Sequence, residues 1–182
     1  MIPLQRFRLL PVRREADDVA RLCDALAGIF DASADRVLVP ADPAEDLEAL
    51  RADLQARGDR LPDDVRLVVR TSGSTTGHGR LVGLSAAQLK ASAQATDERL
   101  GGPGSWVLAL PPHHIAGLQV VARSVLTGRR PVLTRGRFST DELVATLAGA
   151  RRHEPTGRVH LSLVPTQLAD ALADPRARAA LA

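Results

Sequence analysis

Tyrosine is missing from this sequence, and the remaining aromatics are one Trp and three Phe. That excludes the stacking platform on which single-strand nucleic-acid binders rely. Lysine is almost missing too. Of 24 basic residues only Lys90 is a lysine, and the arginines are scattered among 21 acids, leaving a net charge of +3. No basic tract argues for nucleic acid, and the arginine bias is that of a GC-rich coding background. The single cysteine, Cys23, excludes an internal disulfide and suits a reducing cytoplasm, the expected location. Its place among Val19, Leu22, Leu26 and Phe30 makes it a core-face residue, not a nucleophile. No leader opens the chain and no apolar run approaches the roughly 18 residues that cross a bilayer, so no membrane partner is expected.

What is present is an ordinary globular composition, 45% hydrophobic and 25% charged over 182 residues, enough for one domain with a core. Strand-like and helix-like segments alternate. Residues 15–30 carry an amphipathic helical stripe, and "RVLVP" at 36–40 is a short strand. "DPAE" predicts a helix start with Asp42 as N-cap, Pro43 at the first position and Glu45 closing a capping box; Leu47, Leu50 and Leu54 face inward and Gly58 stops the helix. "VRLVV" at 65–69 is a strand, and Ser85 with Gln88 caps a helix running to about Leu100. "WVLAL" at 106–110, "PVLT" at 131–134 and "VHLSLV" at 159–164 are further strands. Between them lie a helix apolar nearly all round, with Gln119 and Arg123 on its polar edge, and a helix opened by "STDE" at 139–142. Pro165 begins the last helix. The pattern predicts an α/β fold, a largely parallel sheet flanked by helices. Residues 1–57 are expected as an N-terminal α/β lobe, 58–64 as a linker, and 65–182 as a second α/β subdomain.

The segment with most chemistry in it is "RTSGSTTGHGRLVGL" at 70–84, which follows a strand. Gly73 and Gly77 permit a tight backbone with several N–H groups turned inward, forming an anion nest. Thr71, Ser72, Ser74, Thr75 and Thr76 add hydroxyls, and Arg80 adds a fixed guanidinium fork. These groups suit the oxygens of a di- or triphosphate. The same composition also describes a solvated strand–helix connection. The spacing is neither a Walker A motif nor G-x-G-x-x-G. His78, His113 and His114 are not spaced as a metal ligand set. His113 and His114 lie where a strand turns into the apolar helix, as orienting groups titrating near neutrality or as turn residues bonded to backbone. Gly117 lets backbone or substrate come close to that helix. Arg151, Arg152 and His153 read as a solvated helix end.

"TSGSTTGHGR" resembles the phosphate loop of the AMP-forming acyl-adenylating enzymes, T-S-G-[ST]-T-G-x-P-K. "LPPHHIAGLQ" at 110–119 resembles the family's next block, and "SLVPTQL" at 162–168 a third, in matching order across about residues 65–173. The last two are similar to those of the o-succinylbenzoate–CoA ligases of menaquinone biosynthesis. The resemblance implies an N-terminal part of an ATP-dependent ligase that forms an acyl-adenylate from a small-molecule carboxylate and then a thioester with coenzyme A, with Mg2+ at the nucleotide. It implies that residues 71–77 and Arg80 bind ATP phosphates, that His114 is catalytic, and that His113, Gly117, Gln119 and Thr166 line the acyl pocket.

Two departures accompany it. A second threonine follows Thr75, and the family's x-Pro-Lys reads His78-Gly79-Arg80. The family's adenine loop with its tyrosine, and its late catalytic lysine, have no counterpart here, and Lys90 reads as a solvated helix residue. The isolated chain is therefore expected to be inactive as a ligase, its missing C-terminal part being supplied in cis or in trans. The alternative is a non-catalytic remnant, or a split-enzyme half acting as a binding module. An incomplete sheet would expose an apolar edge and favour homo-oligomers.

Overall fold

The computed structural model describes residues 6–57, 61–71, 79–154 and 157–182. Two small sheets organise it. The first contains β1 (Phe7–Pro11), β2 (Val37–Ala41), β3 (Val65–Arg70) and β4 (Leu81–Ser85), side by side in chain order. β1, β2 and β3 are parallel, and β4 returns antiparallel to β3 with Arg70 opposite Leu81. The second is wholly parallel, with β5 (Ser105–Leu108) between β6 (Val132–Leu133) and β7 (Val159–Leu161). The helices are α1 (Ala16–Phe30), α2 (Leu47–Arg57), α3 (Ala86–Arg99), α4 (Ile115–Leu126), α5 (Thr140–His153), α6 (Pro165–Ala173) and α7 (Pro175–Leu181). Parallel neighbours need such crossovers, because a tight turn cannot join them. The fold is thus α/β with mostly parallel sheets flanked by helices.

Three apolar clusters bind the layers. The central one joins Leu10, Leu38 and Leu67 of the first sheet to Leu22 and Leu26 of α1, Leu118 and Val121 of α4, and Trp106 and Leu108 of β5. α1 and α4 therefore pack in the core that the two sheets share. α2 covers the other face of the first sheet through Leu50 and Leu54. α5 and α7 cover the other face of the second through Leu143, Leu147 and Ala177. The described part of the segment expected as an N-terminal lobe, residues 6–57, shares its sheet with β3 and β4 and its main core with α4 and β5.

Local chemistry sets the boundaries. Ser85 and Gln88 make the reciprocal capping box: Gln88 N–H donates to Ser85 Oγ (3.2 Å) and Ser85 N–H to Gln88 Oε1 (2.9 Å). Ser139 accepts from Glu142 N–H (3.2 Å), but the Glu142 carboxylate serves Arg135 N–H (2.8 Å) instead of closing the box. The helix start expected at Asp42 is displaced. Residues 42–45 form an isolated turn, in which Asp42 Oδ1 accepts from Ala44 N–H (2.9 Å). Asp46 caps α2 instead, accepting from Glu48 and Ala49 N–H at 3.0 and 3.1 Å. This frees Asp42 and Glu45 for other partners. Gly58, the expected stop, lies outside the described residues. Among the described residues no helix is long and apolar enough to cross a membrane.

Candidate functional site at the strand carboxyl ends

Because β1, β2 and β3 are parallel, the residues that follow them emerge on one side. These are Val12 to Arg14 after β1, Asp42 to Ala44 after β2, and Thr71 after β3. The carboxyl end of β5 is joined to the same side by two contacts. Arg14 donates through its guanidinium to the carbonyls of Ala109 and Gly136. From the opposite direction His113 Nδ1 lies 3.3 Å from the Val12 carbonyl. Together these segments wall a cleft of about 500 Å³ lined by residues 12–14, 42–44 and 111–113. Clefts at the carboxyl ends of α/β sheets are where such folds place ligands.

The glycine- and hydroxyl-rich loop leaves β3 here. Residues 72–78 (Ser72, Gly73, Ser74, Thr75, Thr76, Gly77 and His78) lie outside the described residues, but the neck of the loop is well defined. Thr71 N–H donates to the Arg80 carbonyl (2.8 Å), and Arg80 N–H donates to Thr71 Oγ1 (2.9 Å). A Cβ at Gly79 would sit 1.9 Å from the Thr71 carbonyl oxygen, so glycine is what lets the two sides of the neck close. The loop is therefore the tip of the β3–β4 hairpin, not a direct strand-to-helix connection. β4 was not evident in sequence because Gly83 interrupts a five-residue segment that is held by pairing with β3. Arg80 is exposed at the neck and forms no ion pair among the described residues.

Arg70, at the end of β3, steadies this neck. Its Nε forms an ion pair with Glu45 at 2.8 Å, its second terminal nitrogen lies 3.6 Å from Asp53 on α2, and its first lies 3.5 Å from the Gly79 carbonyl. With Asp46 as the cap of α2, Asp42 lines the cleft and Glu45 pairs with Arg70. Asp42 lies 3.6 Å from His113 Nε2. Arg14 brings positive charge to the cleft with carbonyls as its hydrogen-bond partners. Burial lowers its pKa, and nearby Glu142 opposes that shift.

His113 is nearly buried, with 12% of its side chain exposed. His114 occupies the N-cap position of α4 without using its side chain as the cap, and it meets His113 edge-on with ring centroids 4.4 Å apart. His114 as a residue is exposed. Even so, partial loss of water lowers its pKa below 6.5, helped by His113 and opposed by Asp42 and Glu45. Such an imidazole is neutral at pH 7 and can accept a proton or a hydrogen bond.

Gly117 allows the first turn of α4 to close on the loop that precedes it: a Cβ there would lie 2.2 Å from the Pro111 carbonyl oxygen. The group it admits is backbone. Gln119 lies one helical turn from Arg123, whose guanidinium sits 4.9 Å over the Trp106 ring. Gln119 Oε1 is buried and has no hydrogen-bond partner among the described residues. Thr166 is exposed in the first turn of α6, after β7, at the carboxyl end of the second sheet. Gly117, Gln119 and Thr166 do not line the cleft formed by residues 12–14, 42–44 and 111–113. The sequence reading passed over Arg14 and Arg70 and took Asp42 and Glu45 for helix-capping residues only. The available signal was the pair Arg13-Arg14 directly after "FRLLPV", an apolar stretch not recognised as β1.

No protein-family model matches the chain. It is 50% identical over 146 residues, 80% of its length, to probable 2-succinylbenzoate–CoA ligases of two Mycobacterium tuberculosis strains, and covers 36% of those relatives. Among solved structures it resembles ATP-bound MatB from Rhodopseudomonas palustris (TM-score 0.66, 20% identity, 94% of this chain and 41% of that one). It likewise resembles o-succinylbenzoate CoA synthetase from Bacillus subtilis in complex with its acyl-adenylate intermediate (TM-score 0.60, 19% identity, 92% and 51%). The same Bacillus enzyme with ATP and magnesium gives 0.65 at 18% identity, over 92% and 41%. The chain thus spans about a third of the curated relatives' length.

Proposed function

Since this chain belongs to the AMP-forming acyl-adenylating superfamily, as an N-terminal-like part related to the 2-succinylbenzoate–CoA ligases, we propose that it supplies the phosphate-holding and carboxylate-side portion of such a ligase. In the full reaction a carboxylate oxygen attacks the α-phosphorus of ATP and pyrophosphate leaves. The coenzyme A thiol then displaces AMP to give the thioester. The observation that carries the proposal is the closed neck between Thr71 and Arg80 at the carboxyl end of β3, with His113 reaching the residues that follow β1 and β2 through Val12 and Asp42.

In this reading residues 71–77 and Arg80 hold the β- and γ-phosphates. Negative charge grows on the departing pyrophosphate, and preorganised amides and a guanidinium lower that barrier without reorganising. Arg80 stands where the family has lysine; it keeps the charge but offers a planar fork. His114, neutral at pH 7, orients the carboxylate, and His113 fixes its ring from behind. Among the described residues no group of three His, Cys, Asp or Glu could hold a metal. Magnesium bound with the nucleotide would supply neutralisation of phosphate charge.

The catalytic lysine of the resemblance has no stand-in. Lys90 Nζ donates to the carbonyl of Phe30, the last residue of α1 (2.9 Å). α1 runs back from the carboxyl end of β1, so Lys90 sits toward the opposite end of the sheet from the cleft. The chain alone should therefore bind nucleotide but not complete adenylation. Purified protein with ATP and o-succinylbenzoate is expected to yield no acyl-AMP; its formation would overturn the reading.

A further inference from the structure

We infer that Arg70 is a positioning residue for the phosphate site, oriented by Glu45 and Asp53, and that through it the turn after β2 and helix α2 fix where Arg80 stands; this rests on the ligase reading above. Three arginines pair along their own helices: Arg21 with Asp18, Arg51 with Glu48 and Arg57 with Asp53, each three or four residues away. Such exposed pairs contribute little. Arg70 is different. It is the last residue of β3, and its side chain joins three segments that lie apart in sequence: the turn after β2, α2 and the hairpin neck. Arg70 and Glu45 keep only 32% and 22% of their side chains exposed, so their attraction is screened less than that of a surface pair.

The side chain is committed to the neck by its stem as well as by its charge. Val68, two residues earlier, packs in the core that α2 covers. Strand alternation puts Arg70 on that same face, from which its guanidinium reaches Asp53. The stem crosses the neck on the way: a Cβ at Gly79 would lie 2.8 Å from Arg70 Cγ. Glycine at 79 therefore leaves room for the arginine, and it gives the returning side of the neck the freest backbone of any residue. The family pattern has proline at this place, whose ring holds φ by itself. Here the restraint comes from Arg70 lying against Gly79, with Glu45 at 2.8 Å and Asp53 at 3.6 Å holding the guanidinium. The next residue is Arg80, whose N–H is fixed on Thr71 Oγ1, so the place of Gly79 sets where the Arg80 side chain begins.

Arg70 is not itself the phosphate ligand, because its guanidinium already faces two carboxylates and a carbonyl. Holding and direct attraction differ in sign at Glu45. If Glu45 acted on bound phosphate only through its charge, removing that negative charge would tighten ATP. Acting by holding Arg70, its removal loosens the neck and weakens ATP.

The test is calorimetric titration of ATP into the unsubstituted chain, Glu45→Ala, Arg70→Met and the double variant, with hydrogen exchange read at the Thr71 and Arg80 amides. Glu45→Ala should weaken ATP about fivefold and Arg70→Met about tenfold, and the double variant should bind no more weakly than Arg70→Met, because Glu45 acts through Arg70. Exchange at the two neck amides should speed about tenfold in both single variants while amides in the middle of α4 keep their rates. A general loss of stability would move both sets together. Tighter or unchanged ATP binding by Glu45→Ala would overturn the inference, and so would unchanged exchange at the neck. The two claims separate in the same samples. Faster neck exchange in the variants of a chain that binds no ATP sinks the ligase reading alone, and ATP binding that no variant weakens sinks the positioning role alone.

Discussion

Two glycines in helices allow the close fit of α4 against the turn that precedes it to be measured. In an open helix, Gly→Ala stabilises by about 0.5–1 kcal/mol, because alanine has less backbone entropy to lose. Gly149 in α5 meets that condition: the nearest atom to an added Cβ is the flexible end of Arg152, 3.8 Å away. Gly117 in α4 does not. Its Cβ would lie 2.2 Å from the Pro111 oxygen, 2.8 Å from the Pro111 carbonyl carbon and 3.0 Å from the Leu110 oxygen. All three are backbone atoms of the turn that joins β5 to α4, so turn or helix must move. Overpacking of this kind costs about 1–3 kcal/mol, outweighing the propensity gain at most values in that range. Urea denaturation should therefore show Gly149→Ala raising the midpoint and Gly117→Ala lowering it, with unchanged m-values. The displaced helix carries His114 at its cap, so Gly117→Ala should also weaken nucleotide binding while Gly149→Ala leaves it alone. Equal stabilisation by both substitutions would refute the close packing of α4 on the Leu110–Pro111 turn.

The carboxylate of Glu154 is 1% exposed and accepts from Ser105 Oγ (2.7 Å) and Arg129 (2.6 Å). Glu154→Ala should cost about 2–3 kcal/mol in urea melts, because it breaks a buried pair whose cation keeps some solvent; Ser105→Ala should cost about 1 kcal/mol. His114 has a lowered pKa in the folded state, so the unfolded chain binds more protons around and below pH 6.5. Stability should rise with pH through that window and fall on acidification. His114→Gln should flatten the slope of midpoint against pH, and an unaltered slope would remove His114 as its source. Burial raises the Cys23 thiol pKa, so native protein at pH 8 should react with a thiol reagent only at the rate of unfolding; rapid labelling would contradict its core position.

Where the helical period was long and the caps were local, sequence was a sufficient guide. The stripe at 15–30, the Ser85–Gln88 box and Pro165 at a helix start all depend on residues within a few positions of one another. β1 and β4 were hidden because five-residue strands containing Pro11 or Gly83 are stabilised by pairing with distant residues. Without β4, the loop at 71–80 looked like a strand-to-helix link instead of a hairpin tip. The cap at Asp42 failed for a related reason. Asp42 and Asp46 both satisfy local capping rules, while the partners of this segment in the fold, Arg70 for Glu45 and His113 for Asp42, lie far away in sequence. The arginines of the site were illegible in a chain with arginine throughout. Arg14 is distinguished only by the two carbonyls it reaches, at positions 109 and 136.

The account's central claim is that the hairpin tip closed by Thr71 and Arg80 grips nucleotide phosphates, and calorimetric titration of ATP tests it most directly. Titrations with and without magnesium, into the unsubstituted chain and Arg80→Ala, should show binding that weakens about tenfold on loss of the guanidinium, a difference of about 1.4 kcal/mol. Equal affinity in the two proteins would take Arg80 out of the phosphate site, and no heat of binding in either would contradict the claim itself.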